Sequence, residues 1–239
     1  KNLVVTGCLQ GIGNETLKVL AQHGANVFAC AYRKTEEFER FCKELAEVNN
    51  VFIKPIYFDM MDNASIKNAA KVIQSQKIEI NGLINIAGIN KDAFFNMVTY
   101  KDMLDTFQVN FFSQIILSQY IVKLMQRKKT PGSIAFTSSI TAMDGNEAQL
   151  AYGASKAALI GAMKTMAIEL GKSGIRVNAI APGVIDTELH KGVRQDKMEE
   201  RISKIGMGRM GRPEEVADGC VYLGSDLSLY VTGQIIKMA

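Results

Sequence analysis

The chain has 239 residues, 47% apolar and 22% charged, with a net charge of +4. This is the composition of a globular chain long enough for one α/β domain, and the scattered charge excludes the basic stripe of a nucleic-acid binder. No apolar run reaches the roughly 18–20 residues that span a bilayer, so no membrane partner is expected.

Four cysteines, Cys8, Cys30, Cys42 and Cys220, show no paired spacing, and His23 and His190 are the only histidines. No metal site is expected from such a set, and the thiols are expected to stay reduced in a cytoplasmic protein. The strand-like "NLVVTG" begins at Asn2 with no cleavage-site pattern ahead of it, so no secretory leader is expected.

In chain order, apolar β-rich runs fall at 2–6, 26–31, 51–58, 82–87, 132–138, 175–181 and 233–238. Segments of helical period lie between them at 13–24, 35–48, 64–75, 100–128 and 151–174. The strand runs are continuously apolar rather than alternating, which suits a parallel sheet covered on both faces. The expectation is a single-domain, Rossmann-type, doubly wound parallel α/β sheet of about seven strands with helices on both faces, spanning 1–239. One irregular insertion, 183–212, is rich in charge, Met and Gly and follows a strand end. It is the expected substrate lid.

"VVTGCLQGIGNETL" places Gly7, Gly11 and Gly13 between the first strand and the first helix. Glycines there permit a tight turn and let the backbone approach a pyrophosphate resting on the helix N-terminus. The second strand ends "ACAYRKTEE", with Ala31 where an NAD site usually presents a carboxylate, and Arg33 and Lys34 just beyond. A missing carboxylate with nearby cations favours the 2′-phosphate of NADP(H) over NAD(H).

"AYGASKAALIGAM" sets Tyr152 and Lys156 one turn apart on one helix face. A free phenol has a pKa of about 10. An ammonium at about 4 Å in a medium of effective dielectric about 20 is worth on the order of 4 kcal/mol in favour of phenolate. The expectation is therefore a phenol made more acidic, able to move a proton near neutral pH. Tyr120 and Lys123 share a helical face as well, so spacing alone does not mark a site. Ser138 and Ser139 end the fifth strand upstream, where a hydroxyl can hold a substrate oxygen, and Asn110 is a polar residue in an apolar helix.

"TGCLQGIG", "NIAG" at 85–88, Asn110, the serine pair at 138–139, Tyr152-x-x-x-Lys156 and "APGVIDT" at 181–187 stand in this order and spacing. The chain resembles the classical short-chain dehydrogenase/reductase family over nearly its whole length. Through "GIRVNAIAPGVIDTEL" and "GRMGRPEEVADGCVYLGSDLSLYVTGQ" it is most similar to the 3-oxoacyl-(acyl-carrier-protein) reductases. The resemblance implies roles position by position. Tyr152 would be the acid/base, and Lys156 would lower its pKa and bind the nicotinamide ribose. Ser139 would orient the substrate oxygen, and Asn110 would hold a water in a proton relay. Gly7, Gly11, Ile12 and Gly13 would cradle the pyrophosphate. Arg33 would meet the 2′-phosphate, and Gln10 stands where many NADP-using relatives carry Arg. Asp59, with Met60 beside it, would hold the adenine. Asn85, Ala87 and Gly88 would line the ribose side, and Pro182, Gly183, Ile185 and Thr187 would hold the nicotinamide amide edge.

The activity implied is NADPH-dependent reduction of a ketone to a secondary alcohol, on a 3-oxoacyl group in fatty-acid synthesis. The alternatives are a dehydrogenase of a sugar, polyol or other small alcohol and, from another class, a non-catalytic nucleotide sensor. The expected partners are a small-molecule or carrier-bound carbonyl substrate and an acyl carrier protein landing on Arg127, Lys128, Lys129 and Lys172. The apolar helix faces at 111–122 and 157–170 add the expectation of a homotetramer or homodimer.

Overall fold

A computed structural model describes residues 1–188 and 195–239. Part of the expected lid, 189–194, and with it His190, lies outside the described residues. Seven strands form one parallel sheet in the order β3-β2-β1-β4-β5-β6-β7. They are β1 (Asn2–Thr6), β2 (Asn26–Ala31), β3 (Ile53–Tyr57), β4 (Gly82–Asn85), β5 (Gly132–Thr137), β6 (Ile175–Pro182) and β7 (Ile235–Met238). The first two have the bounds expected from sequence. β4 stops two residues early because Thr6 Oγ1 accepts the Ile86 and Ala87 N–H groups at 2.9 and 3.1 Å, turning the chain out of the ladder. Pro55, which has no N–H to give, sits on β3 at the sheet edge, where one ladder partner suffices.

Side chains alternate across the strands, so one sheet serves two cores. Val4, Phe28, Leu83, Ile134 and Phe136 pack on one face against Ile66, Leu117, Ile121, Met125, Leu159 and Met163. The other face sets Leu3, Val5, Val27, Ile84 and Ile180 against Leu17, Leu20, Phe38, Val216 and Leu223. The first set of helical partners comes from α3 (Asn63–Ser75), α5 (Ser113–Lys128) and α7 (Leu150–Gly171); the second comes from α1 (Gly11–Gln22), α2 (Glu36–Asn49) and α9 (Pro213–Gly224). Side-chain caps fix two of these starts: Thr35 accepts from Phe38 N and Asp62 from Ala64 N.

The segment expected as one helix at 100–128 is three pieces: α4 (Tyr100–Phe107), a π-helical turn at Gln108–Phe112, and α5. Apolar period cannot register one extra residue in a turn, and that turn is what aims Asn110 inward. Within the described part of the insertion, α8 (Gln195–Ser203) is helical. A short α6 (Thr141–Asp144) precedes α7. The chain leaves the sheet centre at β1, builds outward to β3, and returns to β4 on the other side of β1. In such sheets ligands bind at this switch point, off the strand C-termini. Among the described residues no helix is long and apolar enough to cross a membrane. All four cysteines are buried and unpaired.

Candidate active site

A cavity of about 730 Å³ opens over the C-terminal ends of β1, β2 and β4. Its floor is the glycine turn. Gly7 and Gly11 have φ of 77° and 57°, a region that side chains resist. Gly13 is required for a different reason, since a Cβ there would lie 2.1 Å from the Gly7 carbonyl oxygen. α1 begins without a side-chain cap and with no acidic residue in its first turn, leaving its N–H groups and positive dipole end for an anion. These features fit a dinucleotide whose pyrophosphate lies on α1.

Most of the expected cofactor residues meet at this wall: Gly7, Gln10, Gly11, Ile12, Gly13, Asp59, Met60, Ala87 and Gly88. Two do not. Asn85 is fully buried beneath the wall with its Nδ2 donating to Ser118 Oγ at 3.2 Å, so it braces the strand end instead of lining the ribose side. Arg33 is exposed beside the cavity, its guanidinium carbon 5.1 Å from the centre of the Tyr32 ring, and Tyr32 forms the wall that Arg33 was expected to form. An arginine–aromatic stack gives no hydropathy signal, which is why Tyr32 was missed.

A second cavity, about 430 Å³, lies over the ends of β5 and β6. Ser139, Tyr152, Pro182, Gly183, Ile185 and Thr187, all named as site residues from the sequence, line it, and Ile12 and Thr187 belong to both walls, so the two spaces adjoin. Ser138, the other member of the serine pair, lines it too, as do Gln149, Arg201, Lys204 and Lys237, which the sequence did not single out as site residues.

Tyr152 and Ser139 meet at this wall, close enough for the Ser139 side chain to act on the phenol. Ser139 Oγ also accepts the Thr141 N–H at 3.1 Å, which holds the hydroxyl in place. Lys156 is 2% exposed and donates to the Thr137 carbonyl at 2.7 Å, with its Nζ 5.8 Å from the centre of the Tyr152 ring. Asn110, fully buried, clamps the loop after β4: Oδ1 accepts Ile89 N–H at 2.8 Å, while Nδ2 donates to Ile89 O and Ser155 Oγ. Gly88 admits both groups, since a Cβ there would sit 3.1 Å from Asn110 Oδ1 and 3.3 Å from Lys156 Nζ. Asn110 and Lys156 thus stand behind the cavity walls rather than in them.

The electrostatics reverse one expectation. Burial raises the Tyr152 phenol above its ordinary range, Ser139 draws it partly back, and Asp92 raises it further. The lysine does not win this contest, because burial lowers its own pKa from 10.5 to about 8 and its charge is spent on Thr137. The phenol therefore keeps its proton at neutral pH, the state a general acid requires.

Sequence comparison agrees with this architecture. A family model described as enoyl-(acyl carrier protein) reductase matches residues 7–238. The 3-oxoacyl-[acyl-carrier-protein] reductase of Thermotoga maritima is 37% identical over 236 residues, covering 99% of this chain and 95% of that protein. The chain belongs to the short-chain dehydrogenase/reductase family. Its Escherichia coli relative of the same name is 30% identical over 238 residues, 100% of this chain and 95% of that one. Among solved structures, a Beutenbergia cavernae protein assigned as an NAD(P) dependent gluconate 5-dehydrogenase, with bound NADP, superposes with a TM-score of 0.92 at 28% identity, covering 99% of this chain and 94% of that one. A 3-oxoacyl-[acyl-carrier protein] reductase from Brucella melitensis gives 0.91 at 28%, covering 99% and 89%. In this member of the family the basic residues Arg127, Lys128 and Lys129 end α5, and Lys172 ends α7. They occupy the edge where β5 and β6 begin, opposite the two cavities, and do not flank the cleft.

Proposed function

We propose that this chain reduces a ketone to a secondary alcohol with NADPH, and that the ketone is the 3-oxo group of an acyl thioester borne by a carrier. The observation that carries the reading is the Tyr152 phenol and the Ser139 hydroxyl side by side in the wall of a cavity that adjoins a dinucleotide cradle. Ser139 holds the carbonyl oxygen, and Tyr152 gives that oxygen its proton as negative charge develops there. The larger cavity would hold the dinucleotide on Gly7, Gly11 and Gly13, and the chemistry it would supply is hydride for the carbonyl carbon. Lys156 keeps its ammonium behind Gly88, and Asn110 fixes the loop after β4 that walls the larger cavity.

NADP(H) is favoured over NAD(H) because no carboxylate ends β2 and the Arg33–Tyr32 stack stands at that rim. The curated relatives named above support 3-oxoacyl reduction. The Beutenbergia neighbour supports a second reading, a small polyhydroxylated acid as substrate. Among the described residues of the 183–212 insertion, Gly183, Ile185, Thr187, Arg201 and Lys204 line the smaller cavity, and this described part acts as its lid. Exposed Ile168 on α7 and Phe112 before α5 support self-association through these faces. The test is NADPH and NADH oxidation with acetoacetyl thioesters. Turnover with NADPH at least tenfold above that with NADH is expected; binding of NADPH without turnover of any ketone would return the chain to the nucleotide-sensor alternative.

A further inference from the structure

The smaller cavity has an uneven charge. Among the described residues, three cations, Arg201, Lys204 and Lys237, and a single carboxylate, Asp144, contribute to its wall. Two of the cations are engaged: Lys237 pairs with Asp144 at 2.7 Å and Lys204 with Glu200 at 2.8 Å. Among the described residues Arg201 forms no ion pair, although it is partly buried at the end of α8. The sequence at 189–194 contains no Asp or Glu that could neutralise it. An arginine set into a concave wall beside a proton donor, with its guanidinium fork uncommitted, offers bidentate donors matched to a carboxylate or a phosphate.

Resting on the ketone-reductase reading, we infer that the substrate carries an anionic group covalently joined to its ketone, and that Arg201 reads that group. Arg201 is thereby a specificity-determining residue, while Tyr152 and Ser139 act on the carbonyl and are indifferent to the rest of the molecule. The anion has two chemical sources that the same fork would take: the carboxylate of a short oxo-acid, or the phosphate of a phosphopantetheine arm. Lys204 and Lys237 add long-range attraction, but their paired geometry leaves them less to offer a ligand than Arg201.

Two matched pairs of ketones separate the sources. 5-Oxohexanoate and its methyl ester differ by one carboxylate charge; acetoacetyl-4′-phosphopantetheine and acetoacetyl-pantetheine differ by one phosphate. The readout is the ratio of kcat/KM, charged over neutral, with NADPH saturating. In the wild type that ratio is at least about tenfold for one of the two pairs, the scale of a charge-assisted hydrogen bond. Arg201→Gln brings it within about threefold of unity, and Arg201→Lys keeps more of it. Lys128→Gln, at the far edge of the sheet, leaves the ratio as in the wild type. A wild-type ratio near one for both pairs, or a ratio untouched by Arg201→Gln, overturns the assignment. A weakened NADPH affinity with the ratio intact overturns it too. If no ketone is turned over, the same four compounds are titrated against the NADPH complex by the change in cofactor fluorescence. Charge-dependent binding that is lost in Arg201→Gln then keeps the anion site while the reductase reading falls. Charge-independent binding, or no binding, ends both.

Discussion

Two tyrosine–lysine pairs in this protein have nearly the same local geometry. Lys156 Nζ stands 5.8 Å from the Tyr152 ring centre, and Lys123 Nζ stands 6.0 Å from that of Tyr120. On α5, Lys123 is exposed and neither residue lines either of the two cavities. On α7, Lys156 is buried against Thr137, and Tyr152 faces Ser139 across a cavity next to the glycine turn. Spacing on a helix produces the contact in both places. Burial and neighbours fit one of them for the proposed proton donation, with a phenol raised above its ordinary range and a cation close behind it.

The widest break between the pairs is at the phenols. Tyr152→Phe lowers kcat by about a thousandfold or more while the NADPH Kd, from fluorescence titration, stays within about twofold. Tyr120→Phe leaves kcat unchanged. Comparable turnover in the two variants would place the proton donor elsewhere.

The lysines give the next effect, read as stability against pH. Burial holds Lys156 near 8 in the folded chain against an ordinary 10.5. Between those values the unfolded chain binds the extra proton, so this group's contribution to stability rises as pH climbs from about 8 to above 10. The cofactor-free wild type therefore gains on Lys156→Met over that window, by up to about 3 kcal/mol at 1.4 kcal/mol per pKa unit. Denaturant melts at pH 7.5 and 10 measure the gain, and a parallel course for the two proteins would mean that the ammonium is not held in a desolvated site.

A smaller change sharpens the comparison from behind. Gly88→Ala puts a methyl 3.1 Å from Asn110 Oδ1 and 3.3 Å from Lys156 Nζ, closer than either settles comfortably. Both groups shift by a few tenths of an ångström, and kcat/KM falls about tenfold, roughly 1.4 kcal/mol. An unchanged kcat/KM would show that the position of this ammonium is unimportant.

Much of this was legible in the sequence because it rests on backbone necessity. The runs at 2–6 and 26–31 became strands with those bounds, since buried parallel strands show as unbroken apolar stretches. The glycine triplet was legible for the same reason, although the packing of Gly13 on the Gly7 carbonyl is a three-dimensional fact. What stayed hidden depends on desolvation or on one inserted residue. The π-turn at Asn110 leaves the apolar period intact on either side. Asn85 reads as a wall residue until its burial beside Ser118 is seen. α9 was announced by Pro213 at its first turn and by Glu215, whose carboxylate accepts the Arg212 N–H at 2.8 Å, signals that charge-rich surroundings masked. The phenol's shift could not be had from spacing, because Coulomb's law gives the lysine's pull and burial sets the opposing cost.

The protonation of Tyr152 is the point from which proton delivery to the ketone follows. It is measured directly as the ultraviolet difference spectrum of wild type minus Tyr152→Phe in a pH titration of the cofactor-free protein. A phenol raised above its ordinary value of 10.0 gives no tyrosinate absorbance in that difference below about pH 10; tyrosinate appearing near neutral pH would contradict it.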